Sequence, residues 1–223
     1  MNPIEDIFKL LFDRYGPQYW WPADTPFEVI VGAILTQATN WRNVEKAIKN
    51  LKEEHLLDPF KLYSLDEEKL SILIRPVGFY KIKAKRLKNF LKYFVEKYKG
   101  DLISMNKKST KELREELLKI NGLGKETVDS ILLYVFNRPL FVIDNYTKKI
   151  FTCLEIGKLN LSYNEWQEIF HKSLFPIYQL FQEYHALIVE HGKRECKSCS
   201  NNCFLKNFLL NNRRFYKSTN YFI

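Results

Sequence analysis

Apolar residues recur at three- and four-residue spacing along most of this chain, a period that belongs to helices and not to strands. Ile4, Ile7, Phe8, Leu11 and Phe12 form one stripe, and Phe27, Ile30, Val31, Ile34 and Leu35 form the next. Leu87, Phe90, Leu91, Phe94 and Val95 repeat it, as do Val128, Ile131, Leu132 and Val135. Asp66, with Lys69 and Leu70 behind it, opens a short helix, and Thr110 reads as the N-cap of a helix over 111–120. Leu140–Ile143 has strand character, but it is short and sits between Pro139 and Asp144, so a loop is the better reading. The pattern predicts an all-α fold of roughly ten helices with short connections. No internal repeat is present, and a polar, asparagine-rich tail starts near Asn211.

Composition narrows the partners. The 223 residues are 46% apolar and 15% aromatic, enough for a sizeable core and too much for a disordered chain. A net charge of +9 favours a polyanion, with nucleic acid ahead of an anionic membrane surface, although a solvated lysine-rich face would give the same count. No apolar run approaches the length of a membrane span, and the N-terminus carries Glu5 and Asp6 where a signal peptide carries bases. The expectation is a soluble, cytoplasmic protein with no membrane partner.

Two segments carry chemistry. In Leu117–Val128 an amphipathic helix ends at Asn121, Gly122 and Gly124 flank Leu123, and a second helix starts at once. Closely spaced glycines permit positive φ and close backbone approach. The second helix would then aim its free N-terminal amides outward as an anion site, with Leu123 as a plug and Lys125 beside the phosphate. A lone Gly-x-Gly also suits an ordinary tight turn. About twenty residues later the apolar run Val142-Ile143 stops at Asp144, which begins the basic helix Asn145-Tyr146-Thr147-Lys148-Lys149.

Together these segments resemble the endonuclease III superfamily of helix-hairpin-helix DNA glycosylases, whose hairpin is followed at this distance by a catalytic Asp. Three more stretches extend the resemblance in the same order. They are Gly32–Thr39 around Gln37, Val77–Ala84 with its Gly-aromatic-Tyr core, and His191-Gly192-Lys193 with Cys196. The resemblance implies damaged double-stranded DNA as partner, Asp144 as the catalytic carboxylate, and hairpin residues Gly122, Leu123, Gly124, Lys125 and Thr127 on the DNA backbone. Gln37 would fill the gap left by an extruded base. Lys81, Lys83 and Lys85 would neutralise phosphates. Asp144 is also a good N-cap in its own right.

One departure bears on the reaction. Relatives that also cut the strand carry a lysine two residues after the second hairpin glycine, and its amine attacks the sugar. Here that residue is Glu126, and Lys125, one place earlier, is rotated by about 100° around the helix. This predicts a monofunctional glycosylase. The Tyr19-Trp20-Trp21-Pro22 stretch, with Trp41 four residues after Gln37, resembles the 3-methyladenine DNA glycosylase III branch. That resemblance makes Trp41, Trp20, Trp21 and Pro22 a base pocket, whose π-faces favour a cationic N-alkylated purine. Trp20 and Trp21 would serve equally as core wedges.

Of the four cysteines, Cys196, Cys199 and Cys203 lie together. A [4Fe–4S] cluster takes four cysteine ligands. The loop is shorter than the family's usual one and offers three. Two readings stay open: a cluster with a fourth ligand elsewhere, for which Cys153 is one candidate although burial suits it better, or a loop without metal, as in the glycosylase III branch. No cofactor is required for the chemistry on either reading.

The expected architecture is two-lobed, with a helical lobe over 27–138 holding the hairpin and a second lobe built from 1–26 plus 139–223. The active site would lie in the interlobe cleft of a monomer associated with the nucleoid. The rivals are a bifunctional glycosylase/lyase of endonuclease III type acting on oxidised pyrimidines, and a non-catalytic DNA-binding module.

Overall fold

The computed structural model describes residues 2–196 and 203–216. Helix α1 (Pro3–Tyr15) is followed by α2 (Pro26–Leu35) and α3 (Trp41–Glu53). Two short helices, α4 (Pro59–Ser64) and α5 (Glu67–Leu73), and a 3-10 turn over Arg75–Val77 lead into the long α6 (Tyr80–Tyr98). Then come α7 (Leu102–Asn106), α8 (Thr110–Leu118) and α9 (Lys125–Tyr134). The chain finishes with α10 (Asn145–Cys153), α11 (Tyr163–Ser173), α12 (Tyr178–Arg194) and α13 (Phe204–Tyr216). The fold is all-α, and among the described residues no helix is long and apolar enough to cross a membrane.

Most starts follow from local chemistry. Thr25, Asn40, Asp58, Asp66, Asp101 and Ser162 each accept a backbone N–H from the first turn they cap. Helix α8 begins one residue earlier than its sequence suggests. Ser109 is the cap, in a reciprocal capping box with Glu112, and Thr110 is the first helical residue.

The helices divide into two compact units, Met1–Trp20 with Pro139–Ile223, and Trp21–Arg138. In the first, Ile4, Ile7 and Leu11 of α1 are fully buried, and α1 packs on α12, which also packs on α10. An aromatic cluster forms the centre: Phe141 stacks on Phe170 at 4.0 Å and meets Phe181 and Tyr184 edge-on. Each such ring contributes about 1.5–3 kcal/mol by leaving water. In the second unit, α2 is buried almost throughout and packs on α3, α6 and α9. Arg114 of α8 grips the fully buried Asp129 of α9 through two bonds of 2.6 and 3.0 Å, which fixes the two helices flanking the Gly122–Gly124 turn.

Leu140–Ile143 is a loop, and its backbone partners explain why strand-like residues need no neighbouring strand. Gln167 donates to Phe141 O at 2.8 Å, Phe141 N donates to His171 Nε2 at 3.0 Å, and Ile143 N donates to the Tyr163 hydroxyl at 3.4 Å. Residues 163, 167 and 171 recur every four positions along one face of α11, so a helix face takes the place of a sheet edge.

Candidate active site

In the first unit this side-chain ladder carries the apolar run Phe141-Val142-Ile143, all buried, up to Asp144. Asp144 caps α10. Its Oδ1 accepts from Thr147 N at 2.7 Å and from Thr147 Oγ1 at 2.8 Å, and Thr147 is itself fully buried. Its Oδ2 lies 3.7 Å from Nε2 of His185, on α12, an electrostatic contact longer than a hydrogen bond. Burial alone would raise the carboxyl, but His185 and the two Thr147 donors outweigh it and hold Asp144 below its ordinary value. Capping and an ionised carboxylate therefore coexist in one residue.

His185 packs against Trp20, with ring centroids 5.6 Å apart, and Lys193 Nζ lies 5.8 Å from the Trp20 centroid. One helix turn before Lys193's neighbour Arg194, His191 holds the Tyr15 hydroxyl through Nδ1 at 2.9 Å. Gly192 gives the Tyr146 ring its seat, since a Cβ there would lie 2.2 Å from it. Nothing in the sequence singles out His185 as the partner of Asp144, because it stands far along the chain on an otherwise ordinary amphipathic helix.

In the second unit Gly122 has φ +99°, and Gly124 caps α9 with an ordinary φ of −87°. Leu123 is buried beneath the turn. Gln37 is built into this hairpin: its Nε2 donates to Gly122 O at 3.1 Å and to Thr127 Oγ1 at 2.9 Å, and its Oε1 accepts from Arg86. Thr127 is buried, while Lys125 is half-exposed and Glu126 exposed at the start of α9. Arg86 is a member of this network that sequence reasoning missed, hidden within a run of basic residues.

Trp21 and Trp41 meet edge-on at 5.3 Å over Gly32, and Trp21 meets Tyr134 likewise at 5.2 Å. Trp41 and Pro22 also line a pocket of about 380 Å³ with Glu28, Ile48 and Lys52. Trp20 belongs to the first unit, and Trp21, Pro22 and Trp41 belong to the second.

The first turns of α6 correct one expectation. Lys81 and Lys85 are exposed, but Lys83 is 1% exposed and donates to Val77 O at 2.8 Å, so it cannot meet a phosphate. Burial, with Arg86 nearby, pushes its pKa down to about 8. Beside it Phe79 stands 70% exposed in a left-handed conformation, φ +46°.

Cys199 lies outside the described residues. Cys196 is buried after α12, Cys203 is half-buried before α13, and Cys153 is half-buried at the end of α10. Burial, and then Cys203, push the Cys196 thiol up, with Lys149 opposing. Among the described residues no three His, Cys, Asp or Glu converge as a metal site.

Comparison with known proteins agrees with this geometry. Residues 31–176 match the family described as HhH-GPD superfamily base excision DNA repair protein. A protein of Methanocaldococcus jannaschii named as a DNA repair glycosylase is 54% identical, over 93% of this chain and 96% of its own. Endonuclease III of Thermotoga maritima is 32% identical, over 92% and 91%. The crystal structure of a Helicobacter pylori 3-methyladenine DNA glycosylase bound to 1,N6-ethenoadenine superimposes with a TM-score of 0.74 at 28% identity, covering 89% of this chain and all of that one. The chain belongs to the HhH-GPD superfamily of base excision repair proteins and is a DNA glycosylase.

Proposed function

We propose that this glycosylase is monofunctional and removes N-alkylated purines such as 3-methyladenine from duplex DNA. The observation that carries the reading is Glu126, exposed at the second position of α9 where strand-cutting relatives hold their lysine. A carboxylate forms no imine, so the attack on the sugar falls to water.

Asp144 is the group suited to that attack. Held ionised, it stabilises positive charge growing on the sugar and accepts the proton of the water that bonds C1′. The N-glycosidic bond breaks with its electron pair moving onto the base, which leaves neutral because it began as a cation. An ionised carboxylate donates no proton, so a base that departs without acid help fits the site better than a normal or oxidised one. By the resemblance to the 3-methyladenine glycosylase branch, Trp41, Trp21 and Trp20 would offer π-faces to such a cation. The hairpin Gly122–Gly124 with Lys125 would take a DNA phosphate, exposed Phe79 would wedge into the base stack, and Lys81 and Lys85 would add charge. Gln37 would fill the vacated space only after leaving its bonds to Gly122 and Thr127.

The test is incubation with methylated duplex DNA, scoring free bases by chromatography and strand nicks without alkali. Release of 3-methyladenine without nicking is expected. Nicking, or a complex trapped by borohydride, would transfer the protein to the endonuclease III type.

A further inference from the structure

The two oxygens of Asp144 are treated differently by the fold. Oδ1 is occupied by both Thr147 donors, whereas Oδ2 accepts no hydrogen bond among the described residues and faces His185 Nε2 across 3.7 Å. That gap is too long for a direct bond and short enough for a strong charge–dipole or charge–charge contact where water is scarce. His185 is 4% exposed, and its ring rests on Trp20, whose own ring neighbours Lys193 two turns further along the same helix. A buried imidazole with a packed ring has little freedom to turn away.

From these relationships we infer that His185 is a positioning residue for base excision: it keeps the open Oδ2 edge of Asp144 charged and oriented while leaving it unbonded for the reacting centre. The inference rests on Asp144 being the catalytic carboxylate. Four elements supply groups around the pair. Helix α10 supplies Thr147, α11 supplies Tyr163 through Ile143 N, α12 supplies His185 with Lys193 beyond, and the segment after α1 supplies Trp20. Of these, His185 is the basic group in contact with the carboxylate. A carboxylate kept anionic in this way is barred from acting as an acid, which deepens the substrate reading: His185 helps confine the enzyme to bases that leave without protonation.

The test compares wild type, His185→Leu and His185→Gln in the full chain. The Asp144 carboxyl is titrated by ¹³C NMR without DNA, and single-turnover release of 3-methyladenine is followed against pH. His185→Leu should raise the carboxyl midpoint by about one pH unit or more. The acid limb of the rate profile should move up with it, and DNA affinity should hold. His185→Gln, which keeps a neutral donor, should fall between, and it carries the test alone should the Leu variant not fold. A carboxyl midpoint that stays put in the folded variants overturns the inference, whatever happens to the rate. If wild type releases no 3-methyladenine, the substrate reading fails while the carboxyl titration still decides the role of His185.

Discussion

The aliphatic stem of Arg86 fills the space where Gly122 would carry a side chain: a Cβ there would sit 2.2 Å from Arg86 Cγ. The same arginine reaches on to Gln37, which holds the Gly122 carbonyl, so the hairpin is closed from both sides. Gly124 differs, with an ordinary φ and open space on its Cβ side. The two glycines should therefore separate. Gly122→Ala combines a positive φ with a neighbour that must shift and should cost about 1–3 kcal/mol of stability. Gly124→Ala should melt close to wild type yet bind DNA less tightly, because its methyl stands where a phosphate would approach. Paired melting and binding curves check this, and equal destabilisation by both changes would contradict it.

Asp144 caps α10 and is assigned the chemistry, and two substitutions pull these roles apart. Asparagine caps as well as aspartate, so Asp144→Asn should leave the melting temperature nearly unchanged, whereas Asp144→Ala should lose roughly 1 kcal/mol. Both should slow base release by about 100- to 1000-fold, the usual loss when an electrostatic stabiliser of the transition state is removed. Release in Asp144→Asn at the wild-type rate would take Asp144 out of the mechanism.

What the sequence made legible follows from how local each feature is. Asp144 stood out because an apolar run, an acid and a basic helix are contiguous. The long helices stood out because their stripes repeat over several turns, whereas α4 and α7, of six and five residues, are too short to show a period. His185 and Arg86 meet their partners only through tertiary packing, and no neighbouring residue marks them. Lys83 was readable after all. It falls four residues before Leu87 and seven before Phe90, on the buried stripe of α6, but the surrounding Lys81, Lys85 and Arg86 make the stretch look like a solvated face.

Burying Lys83 has a pH signature. Its folded value of about 8 lies below the ordinary 10.5, so folding disfavours the protonated amine. Below pH 8 folded and unfolded chains both hold the proton, and the cost of burying it is fully present. Between pH 8 and 10.5 the unfolded chain keeps a proton that the folded chain has released, and the contribution of this residue to stability rises with pH. Lys83→Met lacks that dependence. Urea unfolding of both proteins should show the difference moving in favour of wild type as pH climbs through this window, and parallel curves would mean that Lys83 does not titrate there.

The monofunctional reading makes a stronger demand, a gain of chemistry from one residue. Glu126 occupies the second position of α9, immediately after the Gly124 cap. Glu126→Lys would place an amine where strand-cutting relatives have theirs, at a helix N-terminus whose positive end favours the neutral, nucleophilic form. The loss of an acid from the first turn should cost only about 0.3–1 kcal/mol, so the variant should fold. The amine would attack C1′ and expel the base, and breaking of the C1′–O4′ bond with its electron pair and a proton going to O4′ would give a Schiff base that borohydride reduces to a stable protein–DNA adduct. Wild type should give no adduct, because Lys125 is rotated by about 100° from that position. An adduct from Glu126→Lys and none from wild type would show that a single position separates hydrolysis from strand cutting in this chain. An adduct from wild type, abolished by Lys125→Ala, would instead hand the nucleophile's role to Lys125 and make water a bystander.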